Sequence, residues 1–117
     1  MATWALVTHI GLSMPEAELG EAHEGSPALI VRGRQFGRLR RTDGGKELLQ
    51  VWVADPELVH TYVDEDPETF SGAPGYSKKV VMARLDRLDE RLVRELLIES
   101  WRCRAPTSIL REYPEMA

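Results

Sequence analysis

The sequence is poor in the residues that form disulfides and metal sites. Cys103 is its only cysteine, which excludes an internal disulfide and a multi-cysteine zinc site. The three histidines, His9, His23 and His60, are far apart and form no His-x-x-x-His pair, so no metal site is expected. Nucleophile-elbow, phosphate-loop and dinucleotide-binding patterns are also missing. These absences predict a protein that is not an enzyme and that carries no cofactor.

Long apolar runs are missing as well. The longest, residues 4–12, is interrupted by His9 and is much shorter than the roughly 20 residues of a membrane-spanning helix. It also lacks the positively charged start of a signal peptide. We therefore expect a single cytoplasmic domain over residues 1–117, with no membrane association.

Two segments contain no lysine or arginine, and this absence reveals a sorted charge pattern. Residues 1–27 carry four acids and residues 54–72 carry six, both without a base. Between and after them, residues 28–53 carry six bases against two acids, and residues 73–88 carry four against one. Both basic segments have strand-like composition, so we expect positive charge on two β edges and negative charge on connections and helices. The formal net charge of −4 conceals this sorting.

Hydrophobic spacing and capping residues predict an α+β domain, an antiparallel β-sheet with helices packed on one face. Helices are predicted over residues 3–13, from Asp55 and Pro56, and over 89–104, with a short one in 106–113. Strands are predicted at 28–31, from Phe36 onward with a bulge at Gly37, at 47–53 and at 80–85. Residues 16–27 form a lead-in or short edge strand, and residues 71–76 are interpreted as a loop. Tryptophans 4 and 101 are expected in the core.

The basic segments are the candidate binding residues. Guanidinium groups bind phosphate bidentately and lysines act as movable point charges, so two basic hairpins could contact a nucleic-acid backbone. The alternative is that these charges protect exposed strand edges and pair with acids elsewhere. The candidates are Arg32, Arg34, Arg38, Arg40, Arg41, Lys78, Lys79 and Arg84. His23 and Tyr76 are weaker ligand-contact candidates, and packing is the simpler role for Tyr76. The acids at 64, 65, 66 and 68 lack the spacing of a calcium loop.

In order and spacing, several short motifs resemble the MmcQ/YjbR-like proteins of bacteria. The resemblance spans nearly the whole chain. Its motifs are Leu12-Ser13-Met14-Pro15, Gly25-Ser26-Pro27-Ala28, Val31-Arg32-Gly33-Arg34 with Phe36, Asp66-Pro67-Glu68, Ala73-Pro74-Gly75-Tyr76, Arg84-Leu85-Asp86, and Trp101 with Ala105-Pro106.

The resemblance implies a fold similar to CyaY, the bacterial frataxin, and DNA binding of the double-wing type. It also makes a role in secondary metabolism or self-protection conceivable. Tyr76 stands where the family often has tryptophan, Val80 and Val81 where it often has an aromatic residue, and Thr107 where it has lysine; each change reduces stacking or positive charge. Frataxin-like iron binding is not implied, because residues 3–13 contain no acid.

Three hypotheses follow. The first is a non-enzymatic protein that binds DNA weakly through phosphate contacts from the basic candidates. The second is a small-ligand or protein-interaction adaptor, in which residues 72–79 and His23 line a cleft. In the third, the arginines pair with the acidic segments and serve only the fold.

Overall fold

The computed structural model describes residues 1–73 and 75–116. A single antiparallel sheet has the strand order β1-β2-β3-β4-β6-β5, and helices pack on it, which confirms the predicted α+β class. The strands are β1 Ala17–Glu21, β2 Pro27–Val31, β3 Arg34–Arg41, β4 Glu47–Trp52, β5 Phe70–Ala73 and β6 Ser77–Arg84. The helices are α1 Trp4–Leu12, α2 Pro56–Glu65, α3 Glu90–Arg104 and α4 Thr107–Glu112.

The first three helices begin where the capping residues predicted. The Leu6 amide donates to Thr3 Oγ1 at 3.1 Å, the Glu57 amide to Asp55 Oδ1 at 3.0 Å, and the Leu92 amide to Asp89 Oδ1 at 2.8 Å. Each side chain satisfies one of the amides that the first helical turn leaves without a partner. Residues 16–27, left open between a lead-in and an edge strand, contain the edge strand β1.

The core lies between the sheet and its helices. Alternate β4 residues, Leu49 and Val51, are fully buried in this hydrophobic core cluster. Trp101 of α3 is fully buried in the same cluster, which confirms its predicted place in the core. Trp4 is only partly buried at the edge of the cluster. The intervening β4 residues, among them Gln50, project from the opposite side of the sheet, called the open face below.

A bulge in β3 is confirmed next to Gly37. Leu29 pairs with Gly37 whereas Ile30 pairs with Gln35, so Phe36 is the extra residue. A Cβ on Gly37 would lie 3.2 Å from Leu29 Cδ1 and 3.3 Å from Leu97 Cδ2, which explains a glycine where α3 crosses the strand.

Two strand predictions were wrong. Residues 71–73, interpreted as loop, belong to β5, and β6 begins at Ser77 rather than at Val80. Pro74, also within the predicted loop, lies outside the described residues. The basic strands are not edges either, because β1 and β5 occupy the two edges and β3 and β6 are interior. Protection of exposed edges therefore does not explain the arginines of β3.

Candidate nucleic-acid interface

The two basic strands are second neighbours in the sheet. β3 and β6 both pair with β4, and the register aligns Arg40, Leu48 and Arg84 in one row across the three strands. Strands lie about 4.8 Å apart, so the α-carbons of Arg40 and Arg84 are separated by about 10 Å. The fold thus places Arg40 and Arg84, one residue from each basic segment, on the same face of the sheet.

One end of this surface is neutralised by ion pairs. Arg41 Nη2 lies 2.9 Å from Glu47 Oε2, Arg84 Nη2 lies 2.8 Å from Asp86 Oδ2, and Lys46 Nζ lies 3.5 Å from the same Asp86 oxygen. The Arg84 hydrogen bonds hold the pKa of Asp86 below its ordinary value. This region, called the paired end, has little net positive charge to offer a ligand.

Arg32 is likewise neutralised, in the turn between β2 and β3. Its Nε donates to Glu16 Oε1 at 2.6 Å. That hydrogen bond lowers the pKa of Glu16 and raises the pKa of Arg32. The acidic segment at residues 16–24 therefore compensates one of the predicted candidates.

At the other end of the sheet, the start of β3, the start of β6 and the end of α3 meet. The carbonyl of Arg104 accepts a hydrogen bond from Arg34 Nη1 at 3.3 Å, and Arg104 Nε donates to the Gln35 carbonyl at 2.8 Å. The Arg104 guanidinium also lies 4.7 Å from the centre of the Trp52 ring, a cation–π distance. The start of β6 is fixed nearby, because the Val53 amide donates to the Lys79 carbonyl at 2.9 Å.

The cations at this end form no ion pair within residues 1–73 and 75–116. This group, called the basic end, consists of Arg34, Lys78, Lys79 and Arg104. Both lysines are exposed. The structure therefore divides the predicted basic set into a compensated part and an uncompensated part.

Arg38 and Arg40 extend the uncompensated charge along the open face of β3. Arg38 donates from Nε to Ser26 Oγ at 2.9 Å and from Nη2 to the His23 carbonyl at 3.1 Å. Arg40 donates from Nη1 to Gln50 Oε1 at 2.9 Å. These neutral partners orient the guanidinium groups without cancelling their charge, and each group retains further N–H donors.

Mutual repulsion and burial raise the electrostatic cost of these charges. Burial is the main cause that lowers the pKa of Arg38, and repulsion from Arg40 is the second. The pKa of Arg104 is lowered in the same way, first by burial and then by repulsion from Arg34. Tyr76 has a smaller opposing effect on both pKa values. A bound anion at this position would relieve the repulsion.

The two weaker candidates have different surroundings. Tyr76 is 57% exposed in the β5–β6 turn, so the expectation that it packs against the protein was wrong. His23 is exposed, and its carbonyl rather than its ring contacts Arg38. Arg104 was missed by sequence reasoning, because its position at the end of an amphipathic helix looks like that of any exposed helical arginine. Its only sequence signal is its place in the last turn before Ala105 and Pro106.

Burial raises the pKa of the Cys103 thiol, which favours its protonated form. In residues 1–73 and 75–116, no three acidic, histidine or cysteine side chains come together in a way that could hold a metal ion. The helices of this part of the chain are too short or too polar to cross a membrane.

Comparison with known proteins identifies the family. The YjbR family model matches residues 12–103, a span that includes all six strands, α2 and nearly all of α3. Searches of curated proteins and of solved structures gave no significant match. The chain belongs to the YjbR family.

Proposed function

We propose that this protein is a non-enzymatic nucleic-acid-binding protein that contacts phosphates through the basic end and through Arg38 and Arg40. The observation that carries the proposal is the asymmetry of the sheet surface. Cations at one end are compensated by acids. Within the described residues, those at the other end form no ion pair, and neither do Arg38 and Arg40 of β3. An uncompensated cluster of positive charges attracts a polyanion locally, even though the net charge of the whole protein is negative.

The side chains of this surface suit a phosphate backbone. Arg38 and Arg40 are oriented by hydrogen bonds and still have donors available, which favours bidentate phosphate contacts. Lys78 and Lys79 are exposed, and their flexible side chains can contact neighbouring phosphates. Tyr76, exposed in the β5–β6 turn, could stack on an unpaired base.

The family resemblance supports the same proposal, since it implies a CyaY-like fold and double-wing DNA binding. In such an arrangement, the β2–β3 and β5–β6 hairpins would be the two wings. The proposal includes a cytoplasmic location, where nucleic acid is accessible. It assigns Arg32, Arg41 and Arg84 a smaller part than the sequence did, because each is already engaged by an acid.

Salt dependence is the direct test. Fluorescence anisotropy with labelled 20-nucleotide single strands and 20-base-pair duplexes should show binding that weakens steeply as salt rises. The logarithmic slope for duplex should be about −0.9 per phosphate contacted. Replacing Lys79 with glutamine should lower the magnitude of that slope by about one and weaken binding equally across unrelated sequences.

The matched control is Arg91→Gln, which removes one positive charge from the exposed side of α3, where Arg91 pairs with Glu95. It should leave affinity and slope unchanged. The proposal is refuted if neither strand form binds at low salt, if binding is insensitive to salt, or if the two variants weaken binding equally.

A further inference from the structure

A cleft of about 420 Å³ is lined by α2 and by the β5–β6 hairpin. One face of α2 forms one wall, with positions 56, 59, 60 and 63 at helical spacing. The hairpin forms the other wall. The lining residues in the described part of the chain are Pro56, Val59, His60, Val63, Gly72, Ala73, Ser77 and Lys78. The second hypothesis predicted a cleft at residues 72–79, and Gly72, Ala73, Ser77 and Lys78 line this one, but His23 does not.

The chemistry of this lining is selective. Five of the lining residues, Pro56, Val59, Val63, Gly72 and Ala73, present only apolar side chains or backbone. Lys78 is the one lysine or arginine among these lining residues, and its ammonium group makes no ion pair within residues 1–73 and 75–116. His60 and Ser77 add hydrogen-bonding capacity. A largely apolar pocket with a few polar groups is typical of small-molecule sites, and this volume lies within their usual range of about 300–1,000 Å³.

The charge lies at one end of the cleft. The Val53 amide donates to the Lys79 carbonyl at 2.9 Å, which holds the start of β6 beside the short segment that enters α2 at Pro56. The backbone of Lys78 therefore lies near the Pro56 end of the cleft, and Val63 lies two turns further along α2. A ligand that matches this arrangement has a negative head and an apolar body.

From this geometry we infer that the cleft binds a small apolar monocarboxylate, with the carboxylate at Lys78 and the hydrocarbon part along Val59 and Val63. The carboxylate would form a charge-assisted hydrogen bond with the Lys78 ammonium group. Lys78 belongs to both the basic end and the cleft, whereas α2 and the apolar lining belong to the cleft alone. The inference therefore does not depend on nucleic-acid binding.

Octanoate is the probe, measured by isothermal titration calorimetry or by ligand-observed NMR on the full chain. Octylamine, of equal length and opposite charge, serves as the comparison ligand. Octanoate should bind and octylamine should bind at least about tenfold more weakly, since a charge-assisted hydrogen bond contributes about 1.5 kcal/mol or more. Lys78→Gln should weaken octanoate binding by about the same factor.

Steric variants locate the site. His60→Trp introduces bulk at an exposed helix position, so the fold should be retained while octanoate binding falls; Val63→Phe fills the cleft from the same helix face. Lys79→Gln, one residue away from Lys78, should weaken DNA binding but leave octanoate binding intact, which separates this site from the nucleic-acid surface. Absence of octanoate binding, equal binding of octylamine, or normal binding by folded His60→Trp would each overturn the inference.

Discussion

Ser100 joins two strands at the point where they stop pairing with each other. The pairing of β3 with β4 extends from Arg38 and Gln50 toward the paired end and does not continue past the bulge at Phe36. In the gap, Ser100 Oγ accepts from the Trp52 amide at 2.9 Å and donates to the Phe36 carbonyl at 2.6 Å. The residue is fully buried, so water cannot replace the hydroxyl.

We predict that Ser100→Ala lowers the free energy of unfolding by about 1–3 kcal/mol, because it leaves a buried amide and a buried carbonyl without partners. Urea denaturation followed by circular dichroism measures this loss. Ser13→Ala is the control, since the Ser13 hydroxyl is only partly buried and bonds within its own turn. A loss for Ser100→Ala no greater than that for Ser13→Ala would show that the two strands do not depend on this bridge.

Single residues were the hardest features to predict from the sequence. The helical period places Ser100 on α3, but nothing local indicates that a serine there must serve a bulge at residue 36, far away in the chain. The caps at Thr3, Asp55 and Asp89 were predictable because their partners lie two or three residues away. Local signals therefore identify local contacts, and residues that act across the fold require the structure.

Among the elements, edge strand β5 depends on the turn before it. The Asp66 carbonyl accepts from the amides of Thr69 and Phe70 at 3.1 and 3.0 Å, and Asp66 Oδ2 accepts from the Thr69 hydroxyl at 2.6 Å. Arg87 Nε in turn donates to Thr69 Oγ1 at 2.8 Å. These contacts anchor the start of β5 to the segment that follows β6.

The contribution of Asp66 to the stability of the protein should decrease at acidic pH. The Thr69 hydrogen bond, with help from Arg87, lowers the pKa of Asp66 from its ordinary value of 3.8. A group whose pKa is depressed by folding stabilises the protein above its unfolded pKa and loses that contribution as pH falls through the folded value. We predict that Asp66→Asn is less stable than the native sequence near neutral pH, and that the difference shrinks below about pH 3.8.

Thermal unfolding of the two proteins from pH 7 to pH 2.5 tests this prediction. Asp43→Asn, in the exposed turn between β3 and β4, is a comparison in which the same substitution removes no such network. If the stability gap between Asp66→Asn and the native sequence stays constant over this range, the Asp66 carboxylate is not the stabilising group.

Most helices and strands were predictable where the hydrophobic period and the capping residues agree. Strand β5 shows why the remaining elements were not. Its residues Ser71 and Gly72 have weak strand preference, and its pairing with β6 is irregular after Gly72. A short, exposed edge strand of this composition has the local sequence of a loop. Only its hydrogen bonds to β6 make it a strand.

For the whole molecule, the strand order determines the functional surface. The sequence separates its basic segments by an acidic helix, and sequence alone suggested two distinct edges. Long-range pairing instead inserts β6 next to β4, so that β3 and β6 flank one central strand. Which charges remain uncompensated also depends on this order, because it brings Glu47, Asp86 and Glu16 to particular arginines. Apart from Arg104, the candidate residues were therefore predictable as a set, but their division into two ends was not.

This division predicts that equal changes in net charge have unequal effects on DNA binding. Lys78→Gln with Lys79→Gln removes two charges from the basic end, and Lys46→Gln with Arg41→Gln removes two from the paired end; each change takes the formal net charge from −4 to −6. In salt titrations, the first pair should reduce the magnitude of the logarithmic slope by about two. The second should leave it nearly unchanged, since Glu47 and Asp86 already screen those positions. If both pairs reduce binding alike, attraction depends on the total charge of the protein and not on the charges that the fold leaves uncompensated.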